Sequence, residues 1–163
     1  MRRQIVLPED VAMQIEQILR ELRTRARADC TFLADISGQV IDIHGGVEDM
    51  DPIVMAALAA GELATMEELT RQIGDRSFGR SLLHEGERRS LYICNVHGTF
   101  VLVVVFSTDT PVGLVRLFVR RAIERLSPLA DRFEEIVRQD KSVLGVDFSA
   151  ALSDELDKAF GGI

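Results

Sequence analysis

The sequence predicts an α/β (α+β) fold: an α-β-β-α-β-β-β-α sandwich whose five-stranded antiparallel or mixed sheet has helices on both faces, followed by a detached C-terminal amphipathic helix. Three observations carry this expectation. Apolar residues recur at helical spacing before, between and after two blocks of short β-rich runs. Glycine-marked turns divide those blocks into five runs. One run, "FVLVVVF" from Phe100 to Phe106, is apolar on both alternating sides, the mark of a central strand covered on both faces. With 163 residues, 47% of them hydrophobic and 28% charged, the chain is sized for one globular domain with a proper core.

From Pro8 to about Ala28, Val11, Ile15, Ile18, Leu19, Leu22 and Ala26 form one apolar stripe. Glu9 and Asp10 open this helix and Arg23, Arg25 and Arg27 close it, as the helix dipole favours. "CTFLADI" and "QVIDIHG", separated by Ser37-Gly38, then read as a β-hairpin. Asp51-Pro52 starts a second helix, with a side-chain acceptor at the N-cap and a ring at N1, and Gly74 offers its C-cap. One side of it carries Met55, Leu58, Met66, Leu69 and Ile73, another Ala57, Ala60, Gly61 and Ala64. Gly61 in a helix interior costs about 1 kcal/mol relative to alanine. Either a helix or partner backbone approaches closely there, or the small face packs flat on the protein's own sheet.

Three strands are expected at about Gly79 to Glu85, Ser90 to Val96 and Thr99 to Phe106. Thr110-Pro111 starts a third helix by the same cap logic, with Val115, Phe118, Ala122, Ile123, Leu126, Leu129, Phe133 and Ile136 on one side. Pro128 is expected to kink or interrupt it near Glu124. The domain then spans residues 1–140, and 141–163 holds a linker and a short helix in which Phe148, Leu152, Leu156 and Phe160 recur every four residues. So short an amphipathic helix needs a surface, supplied by its own domain or by a partner's groove.

A formal net charge of -7 repels nucleic-acid backbone and anionic membrane overall and favours protein partners. Seven apolar residues cannot span a bilayer, which takes about 20 in a helix. The N-terminus, "MRRQIVLPED", has no apolar run of a signal peptide, so a cytoplasmic location is expected. Cys30 and Cys94 lie inside apolar runs without metal spacing and read as buried hydrophobes. Cys94-x-x-His97 with His84 and Glu85 is the nearest thing to a metal site, but residues three apart on a strand point to opposite faces. No phosphate-binding glycine loop, H-E-x-x-H or G-x-S-x-G occurs. Arg88 and Arg89, at a hairpin tip, have the form of an arginine finger for phosphoryl transfer or of a solvated turn.

The order of elements, with the segments "FLADISGQVI", "LAAGELATM", "HEGERRSLY", "VLVVVF" and "VGLVRL", resembles the Roadblock/dynein-light-chain family, in particular its bacterial MglB-like members, over about Val11 to Val137. "SAALSDELDKAF" resembles the detached C-terminal helix of those members. The resemblance implies a homodimer joined edge to edge through the strand from Gly79 to Glu85. It implies a regulator, with no catalytic residue, cofactor or metal of its own, that binds a small Ras-like GTPase of MglA type and stimulates GTP hydrolysis by repositioning the partner's switch loops. No arginine finger is needed for that, which lowers the weight of Arg88 and Arg89. The positions that match the partner face are Ala57, Ala60, Gly61, Ala64, Glu68 and Arg71. Phe148, Leu152, Leu156 and Phe160 match the tail that meets a separate groove of the GTPase, and its acidic face implies a basic rim there. Glu67 and Glu68 depart from the family pattern by placing charges where relatives can carry small residues. A scaffold that binds without activating, and a small-ligand sensor, are the alternative readings.

Overall fold

A computed structural model describes residues 6–75 and 81–161, without the side chains of 143–148. The expected strand start at Gly79, the N-terminal Arg2 and Arg3, and Gly162 lie outside the described residues. The elements are α1 (Glu9–Arg25), β1 (Cys30–Asp35), β2 (Val40–Gly45), α2 (Pro52–Gln72), β3 (Ser81–Glu85), β4 (Arg89–Val96), β5 (Phe100–Ser107) and α3 (Val112–Phe160). The strands form one sheet in the order β2-β1-β5-β4-β3, and every pairing is antiparallel.

The expected central strand is β5, with Phe100 to Phe106 all buried. Alternation sends Phe100, Leu102, Val104 and Phe106 toward one core, where they meet α1 and α3, and Val101, Val103 and Val105 toward a second core under α2. Val11, Ile15, Ile18, Leu19 and Leu22 form the buried stripe of α1. Thr31 on β1 donates its buried hydroxyl to the Leu19 carbonyl (2.9 Å), which pins α1 to the sheet. Phe133 packs on Phe100 at 5.1 Å between ring centroids and anchors α3 on the same side.

Turn chemistry fixes where α2 lies. The Asp35 carboxylate accepts from the Ser37 and Gln39 backbone N–H groups (2.9 and 3.0 Å) and closes the β1–β2 hairpin. Gly38 there has a φ of 89°, and a Cβ at that position would stand 2.9 Å from the Ala57 Cα. The hairpin tip therefore touches α2 backbone to backbone, which only glycine permits. The Asp51 carboxylate caps α2 by accepting from Ile53 and Val54 N–H (2.9 and 3.4 Å).

Three features of α3 differ from expectation. Pro111 itself takes the N-cap position and no side chain caps the helix, so Thr110 does not serve as the cap. The helix passes through Pro128 uninterrupted: the proline ring is exposed, while Leu126, Leu129 and Ala130 on either side of it are buried and hold both segments to the core. No linker or detached helix begins at Asp140, because α3 continues for 49 residues to Phe160. Residues 140–147 contain no proline, and Gly145 alone costs about 1 kcal/mol, too little to end a helix flanked by helix on both sides.

Leu126 is fully buried between α3 and the sheet. Leu126→Ala is expected to lower the unfolding free energy by about 2–5 kcal/mol, and loss of the cap in Asp51→Ala by about 1 kcal/mol. Urea unfolding of both variants checks this ranking, and a larger loss at Asp51 overturns it.

Candidate partner-binding surface

α2 is apolar nearly all round, and the side it turns to the sheet is Ala56, Ala59 and Leu63, with Met55 and Met66 half-buried. The larger residues Leu58, Leu69 and Ile73 point outward instead, at 62%, 55% and 81% exposure. Ala57, Gly61 and Ala64 are exposed along one flank of the outward side of α2, a crest on which Glu68 and Arg71 continue the same stripe, with Ala60 half-buried at its edge. The reading in which this small face packs on the protein's own sheet is thereby corrected. A Cβ at Gly61 would meet nothing within 4 Å, so nothing among the described residues requires the glycine.

The crest is apolar over its first half, where Ile53 and Val54 are also exposed. Sequence periodicity missed Ile53, Val54 and Leu58 as surface residues, since a helix apolar on every side has no preferred face to read. The unbroken stretch "PIVMAALAAG" was the available signal. At the C-terminal end the crest becomes charged: Arg71 pairs with Glu68 and lies 3.6 Å from Glu67, and Gln72 donates to Glu68 (2.8 Å). Exposed pairs of this kind contribute about 0.3–0.5 kcal/mol, so they can exchange partners readily.

Ala60 and Ala64 also border a cleft of about 550 Å³. Leu63 and Glu67 share its α2 wall, and Asn95, His97 and Gly98 of the β4–β5 turn form the other. Asn95 Oδ1 accepts from Gly98 N–H (2.6 Å) and holds that turn, in which His97 adopts a φ of 54°.

The tail is a separate surface. Leu152, Leu156 and Phe160 are 50%, 48% and 68% exposed, and every described side chain from 149 to 161 is exposed. The tail as described is not folded back on its domain. The side chain of Phe148 lies outside the described residues, though its backbone is helical. Among the described side chains Val137 is the last of α3 packed against the core, so at 1.5 Å per residue Phe160 stands about 35 Å further along the helix. The structure does not bring the tail and the α2 crest together.

The remaining polar candidates engage in local structure. Cys30 and Cys94 belong to the two different cores, on opposite faces of the sheet. Burial pushes their thiols up to about 11 and about 12, so both stay protonated at neutral pH. His44 Nε2 lies 3.0 Å from Asp42. Arg89 reaches Asp29 at 3.5 Å, and the Arg88 carbonyl accepts from Thr108 N–H (3.0 Å). Among the described residues no three His, Cys, Asp or Glu side chains converge as a metal site, and no helix is long and apolar enough to cross a membrane.

A five-stranded antiparallel sheet with two helices on one face and a small-faced helix on the other defines the class. The chain belongs to the Roadblock/LC7 domain family, which it matches over residues 14–106. Within that family it is MglB-like. It is 34% identical to Myxococcus xanthus MglB, covering 80% of this chain and 96% of that one with a TM-score of 0.71. The gliding protein MglB of Thermus thermophilus is 26% identical, with 81% and 99% of the two chains covered and a TM-score of 0.71. An MglB solved in a tetrameric arrangement is 25% identical, with coverage of 81% and 98% and a TM-score of 0.73.

Gly61→Ala should raise the stability of the isolated protein by up to about 1 kcal/mol, the helix-propensity difference, because the new methyl group meets open space. Thermal unfolding checks this; a destabilised variant would mean that the crest is occupied within the protein itself.

Proposed function

We propose that this chain is a non-enzymatic regulator of a small Ras-like GTPase of MglA type, working in the cytoplasm as a homodimer. In this reading two α2 crests engage one GTP-loaded partner and accelerate hydrolysis by pressing its switch loops into a competent arrangement. The observation that carries the reading is the open, small-residue crest of Ala57, Gly61 and Ala64, flanked by Ala60 and ending in Glu68 and Arg71. Small side chains let a partner's backbone approach closely, and Gly61 gains a purpose that nothing among the described residues gives it.

Self-association through β3 follows from the sheet edges. At β2 the Asp42 carboxylate accepts from the adjacent Ile43 N–H (2.9 Å), which blunts that edge. β3 is largely exposed and, among the described residues, pairs with β4 alone. A sheet continued edge to edge through β3 keeps both α2 helices on one face, side by side. That one MglB relative forms a tetrameric arrangement supports self-association.

The tail supplies a second contact. Leu152, Leu156 and Phe160, with Phe148 in the same register, form an apolar stripe among Asp154, Glu155 and Asp157, suited to an apolar groove with a basic rim on the GTPase. In this reading residues 141–163 act as a contact separate from the domain of 1–140, carried on the continuation of α3. A non-activating scaffold is the second reading, favoured by Glu67 and Glu68, whose charges beside the crest resist burial against a switch loop.

Phosphate release by an MglA-type GTPase is expected to rise when this protein is added; a complex with unchanged release selects the scaffold, and neither complex nor acceleration overturns both readings. Ala64→Arg should weaken binding by at least about tenfold, or 1.4 kcal/mol, while leaving the self-association state unchanged; retained binding means the crest is not the partner face. Truncation after Gln139 should leave the fold intact, since Phe133 and Val137 still pack. It should also change GTPase affinity or nucleotide exchange, and no change in either returns the tail to a structural role.

A further inference from the structure

Charge is segregated along the α1/α3 layer, on the sheet face opposite α2. The two helices run antiparallel, since Arg125 reaches Glu21 (2.7 Å) near one end and Arg132 reaches Asp10 (2.7 Å) near the other. At the first end, α1 carries exposed Arg20, Arg23 and Arg25, with Arg27 just past its last residue, and Arg20 pairs with Glu16 one turn back. Beside them α3 carries exposed Arg116, Arg120, Arg121 and Arg125, and the opposing charges on the two segments are Glu21 and Glu124. Arg25, Arg121 and Arg125 meet around Phe118 in a shallow groove between the helices. The second end is acidic: Glu9, Asp10 and Glu16 on α1 and Asp131, Glu134 and Glu135 on α3 are exposed, against Arg132 and Arg138.

Intramolecular needs account for the α1 half of this pattern, where the helix dipole favours Glu9 and Asp10 at the start and Arg23 and Arg25 at the end, but not for the α3 half. The helix dipole favours cations at a C-terminus, so arginines in the first half of α3 gain nothing from it. Like charges gathered at one end of a layer repel one another, and a counter-surface removes that repulsion. The chain itself carries one of the right shape and opposite sign, the other end of the same layer. Each end also exposes a large apolar side chain, Met13 (61%) on the acidic side and Leu117 (44%) on the basic side.

We propose that the α1/α3 layer is a self-complementary interface on which a second copy of this chain docks back to back. A twofold axis in the interface, perpendicular to the helices, lays the acidic end of each copy on the basic end of the other and covers Met13 and Leu117 in both. The surface is separate from the α2 crest and from the β3 edge, so it does not rest on the GTPase reading. With a β3 dimer it makes two dimers into four protomers, and without one it makes a dimer from monomers.

Sedimentation equilibrium of the full chain tests this by a halving of mass, readable in either case. Wild type should halve in mass between 0.1 M and 1 M salt, as the screening length falls from about 10 to about 3 Å. Arg120→Glu/Arg121→Glu and Asp131→Arg/Glu135→Arg should each show half the wild-type mass at 0.1 M salt, and a one-to-one mixture should recover the full mass, which also shows that both variants are folded. A mass unchanged in both variants, or no recovery on mixing, overturns the proposal. So does binding to phosphatidylglycerol vesicles that is lost in Arg120→Glu/Arg121→Glu while the mass stays at the wild-type value, since the basic end would then be a membrane contact.

Discussion

The double burial of β5 is the constraint on which the rest of the molecule depends. A strand with Phe100, Leu102, Val104 and Phe106 on one side and Val101, Val103 and Val105 on the other must be covered twice. Two layers follow, and they are unequal. The larger side chains on the α1/α3 side need two long helices to bury them, whereas the valines opposite are covered by one helix with small inward residues, Ala56 and Ala59. A helix that packs closely through alanines needs few large side chains to hold it, which leaves its other sides free for different uses.

That freedom gives α2 its character. Its crest carries alanine and glycine where an ordinary surface helix carries charge, and its flanks expose Ile53, Val54 and Leu58. An exposed apolar surface of this kind is costly for a protein in isolation and becomes favourable only when something covers it. The Gly38 turn against Ala57 fixes the helix in place on its sheet side, so that the crest is presented on a rigid element. The opposite layer is built on another principle, with charges sorted by sign along two long helices. The molecule thus has two faces of different chemistry, apolar and small on one, polar and bipolar on the other.

Much of this was legible in the residues. The α1 stripe, the hairpin at Ser37-Gly38, the Asp51-Pro52 start and the central "FVLVVVF" strand all follow from short-range rules that the chain obeys locally, and all five strands appear in order. Ala57, Ala60, Gly61 and Ala64 were legible as a set of small residues on one side of a helix, whereas Glu68 and Arg71 joined them only through the family resemblance. The direction of that side was not legible, because α2 is apolar all round and periodicity selects a face only where polar and apolar residues alternate. The tail misleads for a related reason: apolar periodicity is lost after Gln139 while the helix itself continues, and in the residues alone that loss looks the same as the end of the helix.

The sequence by itself determined the order of the helices and strands up to the start of α3, which strand lies in the middle, and that no catalytic motif of the recognised kinds is written in the chain. These are properties of neighbouring residues and their spacing. The tertiary structure alone decided that Ala56, Ala59 and Leu63 face inward, so that Ala57, Gly61 and Ala64 face out. It alone placed Arg25 beside Arg121 and Asp10 beside Arg132, joining residues about a hundred positions apart into one bipolar layer. The rotation of a helix about its axis and the pairing of distant helices are set by packing, and packing energy depends on contacts that exist only once the sheet has formed.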